Sequence, residues 1–514
     1  MAPRTPGLHE RSSGILLHPT SLPGPFGCGD LGGEAHRFVE FLAAARQRWW
    51  QMLPVAPVGY GNSPYQALSA FAGNPLLIGL DKLVERGLLD RVPATRLPVG
   101  RVDYGRTTAF REGQLRAAFA RFGRAGRSRF RRFCEEQAGW LEDWVLYRTI
   151  KARHGERPWI EWEPELRDRK PAALGRIARA EGEELQFRRF EQWLFDEQWA
   201  ELRAAANERG IGLIGDLPIF VAHDSADVWA NRELFFLDDT GNPTVIAGVP
   251  PDYFSATGQR WGNPLYRWQV LRRDGYRWWV ERFRRSLRLF DAIRLDHFIG
   301  FTRYWEIPAS EPTAINGTWQ PGPGEHFFRT VQEALGTAEL ALIAEDLGAV
   351  TAEVTALRDR FGMPGIRILQ FAFGDDPQAP TFKPHNYVRN AAAYTGTHDN
   401  DTVVGWFHDP GGGASARTPA QAEAERSYAA RYVGYEGKEI HWAMIRTLYV
   451  SVANLAIVPL QDVLGLGSEA RMNIPGTSQG NWEWRFTRRD LGRGPAARLA
   501  QLVVDTDRAG ENRR

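Results

Sequence analysis

Short apolar runs recur along the chain, and four of them end on polar or ionisable residues. A continuous apolar run is typical of a strand buried in a parallel sheet. A carboxylate at the end of such a strand is costly to bury and is seldom placed there for packing. Four such strand ends in one chain indicate the mouth of a (β/α)8 barrel that handles a polar, hydroxyl-rich substrate. The four runs lie at 212–216, 291–297, 341–346 and 391–400.

Eight strand-like runs are present in all, and amphipathic stretches lie between several of them. Apolar residues at helical spacing predict helices over 34–46 and 351–361. This alternation predicts an α/β fold, and acids at one end of eight repeats favour a closed TIM barrel over an open sheet. The eight runs are 15–19, 49–54, three ending at 216, 296 and 345, then 366–373, one ending near 398, and 455–461.

The intervals between the predicted strands are unequal, and the longest ones predict insertions into a single catalytic barrel domain, 1–514. Residues from about 66–205 are rich in Arg, Glu, Ala and Trp and predict a helical subdomain. Residues from about 222–285 predict a subdomain of structured loops, which includes a lid at 248–264. A third insertion is predicted near 308–325. Little chain follows the eighth run, so no C-terminal β-sandwich is expected.

Composition indicates which partners and which cellular compartment to expect. The formal net charge is +2, and 62 acidic residues are interspersed among 64 basic ones, so a nucleic-acid-binding face is not expected. Two cysteines, Cys28 and Cys134, are too few for a disulfide framework and indicate reduced thiols in the cytoplasm. No signal peptide is recognisable, and no apolar run reaches the roughly 20 residues of a membrane helix. We therefore expect a cytoplasmic protein without a membrane or nucleic-acid partner.

The polar strand ends suggest glycosidic chemistry. Arg294 and Asp296 are two residues apart in a strand and therefore share a face. An adjacent guanidinium favours the ionised carboxylate, which suits a nucleophile, although a structural salt bridge explains the pair equally well. Glu345 ends the next strand and is expected beside Asp296. One ionised and one protonatable carboxyl across a gap is the arrangement that cleaves a glycosidic bond. His398 and Asp399 are expected to face the same cavity.

The sequence lacks the motifs that mark metal sites, phosphate loops, serine nucleophiles and dinucleotide-binding folds. There is no H-E-x-x-H motif, no cysteine pair and no calcium loop, so we expect no metal. A phosphate loop, a G-x-S-x-G elbow and a dinucleotide-binding fingerprint are also absent, so no cofactor is expected.

Aromatic residues are frequent in the Gly-, Pro- and Asn-rich stretches. Such residues can stack on the apolar faces of sugar rings, or they can pack beneath long loops. Packing explains any one of them, but the set favours ligand contacts. The residues are Tyr60, Tyr65, Tyr253, Trp261, Trp319, Trp482 and Trp484.

Several longer motifs extend almost from end to end of the chain. They include Gly14-Ile-Leu-Leu-His-Pro-Thr-Ser-Leu-Pro, Gly215-Asp-Leu-Pro-Ile-Phe-Val, Arg294-Leu-Asp-His-Phe, Ala344-Glu-Asp-Leu-Gly, Gly396-Thr-His-Asp-Asn, the 248–264 segment and Arg471-Met-Asn-Ile-Pro-Gly-Thr. In these motifs the sequence resembles the 4-α-glucanotransferases called amylomaltases or disproportionating enzymes, which belong to the α-amylase clan of retaining barrels. Generic α-amylases lack the 248–264 and Arg471 segments, so the resemblance is specific.

The resemblance implies transfer of α-1,4-glucan segments between malto-oligosaccharides. We also expect a monomer or weak homo-oligomer. It implies that Asp296 is the nucleophile, Glu345 the general acid/base and Asp399 the transition-state stabiliser, with Arg294 holding Asp296 ionised. The residues implied to contact sugar are Tyr65, Asp216, Tyr253, Phe254, Trp261, His297, His398 and, on the acceptor side, Asn473.

Two rival interpretations use the same residues. An α-glucan hydrolase would keep the same carboxylates, and only the 248–264 segment argues against it. A non-catalytic glucan-binding protein would keep the aromatics and tolerate loss of the acids, but all three candidate carboxylates are present. For a transferase, Phe254 and its loop are expected to shield the site from water.

Overall fold

The computed structural model describes residues 4–123, 126–251, 255, 257–412 and 417–509. The described residues form twelve strands. They are β1 (Ser12–Leu16), β2 (Trp49–Gln51), β3 (Gly212–Pro218), β4 (Val245–Val249), β5 (Gln259–Pro264), β6 (Ala292–Asp296), β7 (Arg303–Pro308), β8 (Thr318–Pro321), β9 (Leu342–Ala344), β10 (Gly365–Ile368), β11 (Ala391–Tyr394) and β12 (Leu455–Pro459).

Eight of these strands close into a parallel barrel, which confirms the predicted fold class. The order around the barrel is β1, β2, β3, β6, β9, β10, β11 and β12, and β12 pairs with β1 to close it. Each of the eight overlaps one of the predicted apolar runs, although β1 begins three residues before its run and β3 extends two residues beyond its run. Because every strand runs in the same direction, all eight carboxyl ends meet at one mouth.

Helices surround the barrel and fill the long interval between β2 and β3. The described helices are α1 (Gly33–Ala44), α2 (Leu80–Glu85), α3 (Tyr104–Ala120), α4 (Arg127–Glu136), α5 (Ala138–Arg153), α6 (Pro164–Arg167), α7 (Pro171–Ala180), α8 (Gly182–Asn207), α9 (Ala226–Ala230), α10 (Trp268–Arg273), α11 (Arg277–Leu289), α12 (Gly324–Leu335), α13 (Ala352–Arg360), α14 (Val403–His408), α15 (Pro419–Val433), α16 (Ile440–Val450), α17 (Leu460–Leu464) and α18 (Arg493–Asp505). Two of them, α1 and α13, are the helices that apolar spacing predicted. Seven, α2 to α8, lie in the β2–β3 interval, and the division of this interval into a helical subdomain stays a prediction.

Alternation along the strands separates the two faces of the barrel wall. Ile214 and Ile343 pack with the cluster that fills the interior, whereas Leu213 and Ile293 pack with the outer layer beneath the helices. Successive strand side chains point to opposite faces, so a residue two positions beyond an interior residue also faces the interior. This parity decides which polar side chains reach the mouth.

A second, antiparallel sheet lies beside the barrel in the order β5, β4, β7 and β8. The prediction that residues 222–285 form loops misses β4, β5 and helices α9, α10 and α11. The reason is that β4 pairs with β7, about 60 residues away along the chain, and short strands containing Gly, Asn and Pro show little alternation of their own. Helix α11 covers the barrel and buries Trp279 and Phe283.

In the described residues that follow β12 there is no further β-sheet, only helices and irregular chain. None of the helices in the described ranges combines the length and the apolar character required to cross a bilayer.

Candidate active site

Strand parity delivers four polar side chains to the interior face at the barrel mouth. Asp216 lies two residues beyond Ile214, and Glu345 lies two residues beyond Ile343. Arg294 and Asp296 continue the interior face of β6 that begins at buried Ala292. Because β3, β6 and β9 are neighbours in the barrel, these side chains are brought into one cluster.

Arg294 joins two carboxylates with one guanidinium group. Its Nη1 lies 2.6 Å from Asp216 Oδ2, and its Nη2 lies 3.0 Å from Asp296 Oδ1. Burial lowers the pKa of Arg294, but Asp216 and Asp296 outweigh that effect and raise it well above the usual value. The guanidinium therefore stays charged and holds Asp296 in a fixed orientation.

Glu345 lies in a different environment on the neighbouring strand. Its side chain is buried, and Oε2 accepts a hydrogen bond of 2.7 Å from the backbone N–H of His297. Burial raises the pKa of Glu345 well above its usual range, and Asp296 adds to that effect, while Arg294 and the His297 N–H oppose it. The carboxyl therefore keeps its proton to a higher pH than an exposed glutamate does.

His297 makes this arrangement possible through its backbone. It has a φ of 51° and a ψ of 52°, the left-handed conformation that few residues with side chains adopt. The chain turns sharply there, which aims the His297 N–H at Glu345. Burial lowers the pKa of the His297 ring to about 4, so the imidazole is neutral at ordinary pH.

Asp399 lies in the loop after β11, and its side chain is half exposed. Asn473 Nδ2 donates a hydrogen bond of 2.6 Å to Asp399 Oδ1, and His398 Nε2 lies 3.3 Å from Oδ2. Arg471 donates to the backbone carbonyl oxygens of both Asp399 and Asn473 at 2.7 Å. The 471–473 segment thus holds Asp399 at the mouth.

Several of the sequence-predicted aromatics lie at the same mouth, including Trp482, whose ring centroid is 6.0 Å from that of His398, and Trp484, which lines the cleft beside it. Tyr65 donates a hydrogen bond of 2.8 Å to Asp216 Oδ2, and its ring stacks on His398 at 5.1 Å between centroids. Trp261, on β5, meets the His297 ring edge-on at 4.8 Å. The antiparallel sheet therefore carries Trp261 to the barrel. Two further aromatic candidates, Tyr253 and Phe254, lie outside the described residues.

Two residues at the mouth, His18 and Arg471, lie in motifs quoted above but were given no role from the sequence. His18 follows β1, is buried, and lines a cleft of about 440 Å³ together with His398 and Arg471. Burial lowers the pKa of His18 to about 3, and His398 contributes to that shift. His18 carries the same signal as the four acids, since it follows the apolar run that begins at Ile15. Arg471 lies in irregular chain, so no strand pattern marks it, and only the motif that it begins indicates its importance.

The described residues contain no group of three or more His, Cys, Asp or Glu side chains arranged to hold a metal ion. The cluster at the mouth is instead built from carboxyls in contrasting environments. Asp296 is paired with a guanidinium, and Glu345 is buried with a raised pKa. Contrasting environments of this kind separate a nucleophile or base from an acid.

Comparison with known proteins agrees with this geometry. A family model described as 4-alpha-glucanotransferase matches residues 17–490. The chain is 51% identical to a 4-alpha-glucanotransferase of Thermus thermophilus, over 97% of this chain and 99% of that protein. It is 49% identical to one of Synechocystis sp., over 93% and 94%. Among solved structures, amylomaltase from Streptococcus agalactiae in complex with acarbose superimposes with a TM-score of 0.91 at 37% identity, covering 98% of this chain and 100% of that one.

Proposed function

The chain belongs to the 4-alpha-glucanotransferase family, and from that premise we propose that Asp296, Glu345 and Asp399 carry out retaining transfer of α-1,4-glucan segments. The donor is a malto-oligosaccharide, and the acceptor is the 4-hydroxyl of glucose or of another glucan. The observation that carries the assignment of roles is the contrast between Asp296, paired with Arg294, and the buried Glu345 beside it.

In the first half of the reaction, Glu345 donates its proton to the glycosidic oxygen while an Asp296 oxygen attacks the anomeric carbon. The glycosidic bond breaks, the reducing-end fragment leaves with the proton, and a β-glucosyl ester forms on Asp296. This step requires a neutral Glu345 and an anionic Asp296. The raised pKa of Glu345 favours its neutral form, and the Arg294 guanidinium lies 3.0 Å from Asp296 as its ion-pair partner.

In the second half, the acceptor 4-hydroxyl gives its proton to the Glu345 carboxylate and attacks the anomeric carbon. The bond to Asp296 breaks, and the configuration is retained because two inversions have occurred. Asp399, oriented by Asn473, stabilises the positive charge that develops on the sugar ring.

The remaining residues at the mouth bind sugar. Tyr65 and Asp216, joined by a hydrogen bond, contact the glucose that reacts, together with His297 and His398. The indole of Trp261 offers an apolar face to a sugar ring. Tyr253 and Phe254 are assigned to the same set on sequence alone, with Phe254 shielding the intermediate from water.

Maltotriose distinguishes transfer from hydrolysis. A transferase should convert it into a ladder of longer and shorter oligosaccharides, and added glucose should shift the ladder by acting as acceptor. Glucose and maltose as the sole products would instead identify an α-glucan hydrolase with the same carboxylates. Absence of any product from protein with intact Asp296 would favour a non-catalytic glucan-binding protein.

A cytoplasmic location and a monomeric or weakly homo-oligomeric state belong to the same proposal. The cytoplasmic location is supported by Cys28 and Cys134, which are both free thiols.

Arg294→Lys should not behave as a conservative change. A single ammonium group cannot reproduce the fork that contacts Asp216 and Asp296 at once. We expect turnover of maltotriose to fall by about 100-fold or more, the loss that misplacement of a reacting group by ~1 Å can cause. The melting temperature should change little.

Arg203→Lys is a matched control. Arg203 also donates two hydrogen bonds from one guanidinium group, both to Asp291, which directly precedes β6. The Arg203→Lys variant should turn over maltotriose at the normal rate. Unchanged turnover in the Arg294 variant would make its pairing with Asp296 incidental.

The pH dependence of kcat/KM should report the raised pKa of Glu345. Since the reaction needs the protonated form, activity should be lost as pH rises through that pKa, above the usual glutamate range. With α-glucosyl fluoride as donor, departure of fluoride needs no proton. The fall in kcat/KM at high pH, which is the basic limb of the profile, should therefore disappear. If kcat/KM fell at the same high pH with both donors, the group that titrates there would not be Glu345.

A further inference from the structure

Glu345 is tied firmly to one neighbouring strand. Its backbone N–H donates to Leu295 at 3.0 Å, its carbonyl oxygen accepts from Phe298 at 3.0 Å, and its side chain accepts from His297 at 2.7 Å. All three partners belong to β6 or directly follow it. On the other side, β9 meets β10 at a single register pair, Ala344 with Gly365. The strand ladder therefore leaves Glu345 without backbone support on its β10 side.

Asp346 supplies that support through its side chain. Its Oδ1 accepts a hydrogen bond of 2.8 Å from the backbone N–H of Ile366, the position on β10 directly after Gly365. A carboxylate oxygen thus takes the place of a strand carbonyl one residue beyond Glu345. Asp346 is 5% exposed, so this bond is shielded from water.

A buried arginine from the next helix completes the arrangement. Arg358 of α13 donates to Asp346 Oδ2 through Nη1, and Arg367 Nη1 lies 3.6 Å from Asp346 Oδ1. Gly365 leaves room for the pair, because a Cβ there would lie 2.5 Å from Asp346 Oδ2 and 2.7 Å from Arg358 Nη1. Three elements, β9, β10 and α13, therefore converge on one carboxylate behind Glu345.

We propose that Asp346, paired with Arg358, is a positioning residue for the transfer reaction, which fixes Glu345 from the β10 side and places a negative charge next to it. This inference rests on the proposed role of Glu345. The charged and polar groups that face Glu345 are Arg294 and Asp296 of β6, the His297 N–H and Asp346. Burial is the largest cause of the raised pKa of Glu345, and Asp346 contributes in the same direction.

The alternative is that Asp346 merely fastens β9 to β10. The two roles differ in the sign of their effects. Asp346→Asn keeps an oxygen for the Ile366 N–H but removes the negative charge and leaves Arg358 positive, which should lower the pKa of Glu345. Arg358→Gln removes the nearer of the two positive charges beside Asp346, leaves Arg367 at 3.6 Å and keeps Asp346 negative, which should raise the pKa of Glu345. A purely structural role predicts loss of activity in both variants without opposite shifts.

The experiment is the pH profile of kcat/KM for maltotriose in the two variants and the unaltered protein. We expect the basic limb to move to lower pH in Asp346→Asn and to higher pH in Arg358→Gln, each by about half a pH unit or more, the size of a nearby unit charge at high effective dielectric. Profiles that coincide, or that shift in the same direction, would overturn the inference.

A donor with an activated leaving group provides the second measurement. Formation of the glucosyl-enzyme from α-glucosyl fluoride should be slowed less than turnover of maltotriose in Asp346→Asn, because fluoride departs without the acid. Equal slowing with both donors would show general damage to the mouth and refute the inference. If Asp346→Asn does not fold, the test rests on Arg358→Gln. A shift of its basic limb to higher pH would support the inference, and an unshifted basic limb would overturn the inference.

Glu345→Gln separates the two proposals. If that variant turns over maltotriose normally, the proposed role of Glu345 is wrong. If it is impaired as expected while neither Asp346→Asn nor Arg358→Gln moves the basic limb, only the inference about Asp346 fails.

Discussion

Asp296→Ala should reduce glucan transfer by about 10⁴–10⁶-fold, the range observed when a covalent nucleophile is removed from other enzymes. In the proposed mechanism this side chain is the carboxylate that forms the glucosyl ester, and no other acid replaces it on that face of β6. Glu345 is buried against the His297 N–H, and Asp216 is bound by Arg294 and Tyr65. The measurement is the rate of oligosaccharide formation from maltotriose by purified variant.

The fold should survive this change. Arg294 keeps its 2.6 Å contact with Asp216, so its buried charge stays paired after Asp296 is removed. Circular dichroism and the melting temperature should therefore match those of the unaltered protein closely. Asp505→Ala is a suitable control, because Asp505 is exposed at the end of α18. Its transfer rate should be unchanged.

A small nucleophile should partly restore bond cleavage in Asp296→Ala. Azide can occupy the space of the missing carboxylate, attack the anomeric carbon of α-glucosyl fluoride and expel fluoride, which gives a β-glucosyl azide. Formation of this inverted product would identify the position of the lost nucleophile. Near-normal transfer by a well-folded Asp296→Ala variant would rule out its assignment.

Glu345→Gln should slow turnover of maltotriose by about 10²–10⁴-fold, the contribution typical of a general acid or base. The amide oxygen can still accept the hydrogen bond from His297, so the loop geometry should be preserved. What is lost is the proton that the leaving sugar needs, and the base that the acceptor needs in the second half.

The choice of donor makes this variant diagnostic. Since α-glucosyl fluoride leaves without protonation, Glu345→Gln should still form the glucosyl ester on Asp296. The ester should accumulate, because its breakdown lacks the base, and mass spectrometry of the intact protein should detect one added glucosyl group. Equal slowing with maltotriose and with the fluoride, without any adduct, would show that Glu345 is not the acid/base.

The sequence by itself specified the barrel and the acids at its mouth. Each of the eight apolar runs is a local feature, and burial of a parallel strand requires such a run whatever its partners are. The parity that turns Asp216, Asp296 and Glu345 inward is likewise local, because alternation along a strand follows from backbone geometry. The same logic would have found His18, which follows β1 in the same way.

The contacts that give these residues different chemistry depend on segments far apart in the chain. Tyr65 reaches Asp216 across 151 residues, and Asn473 reaches Asp399 across 74. No local pattern records such pairs, because they arise from how loops and insertions pack on the finished barrel. The antiparallel sheet was missed partly for the same reason, since β4 pairs on one side with β7, about 60 residues away along the chain. Burial of Glu345 also depends on the assembled mouth and not on any single segment. This burial raises the pKa of Glu345 above that of an ordinary glutamate.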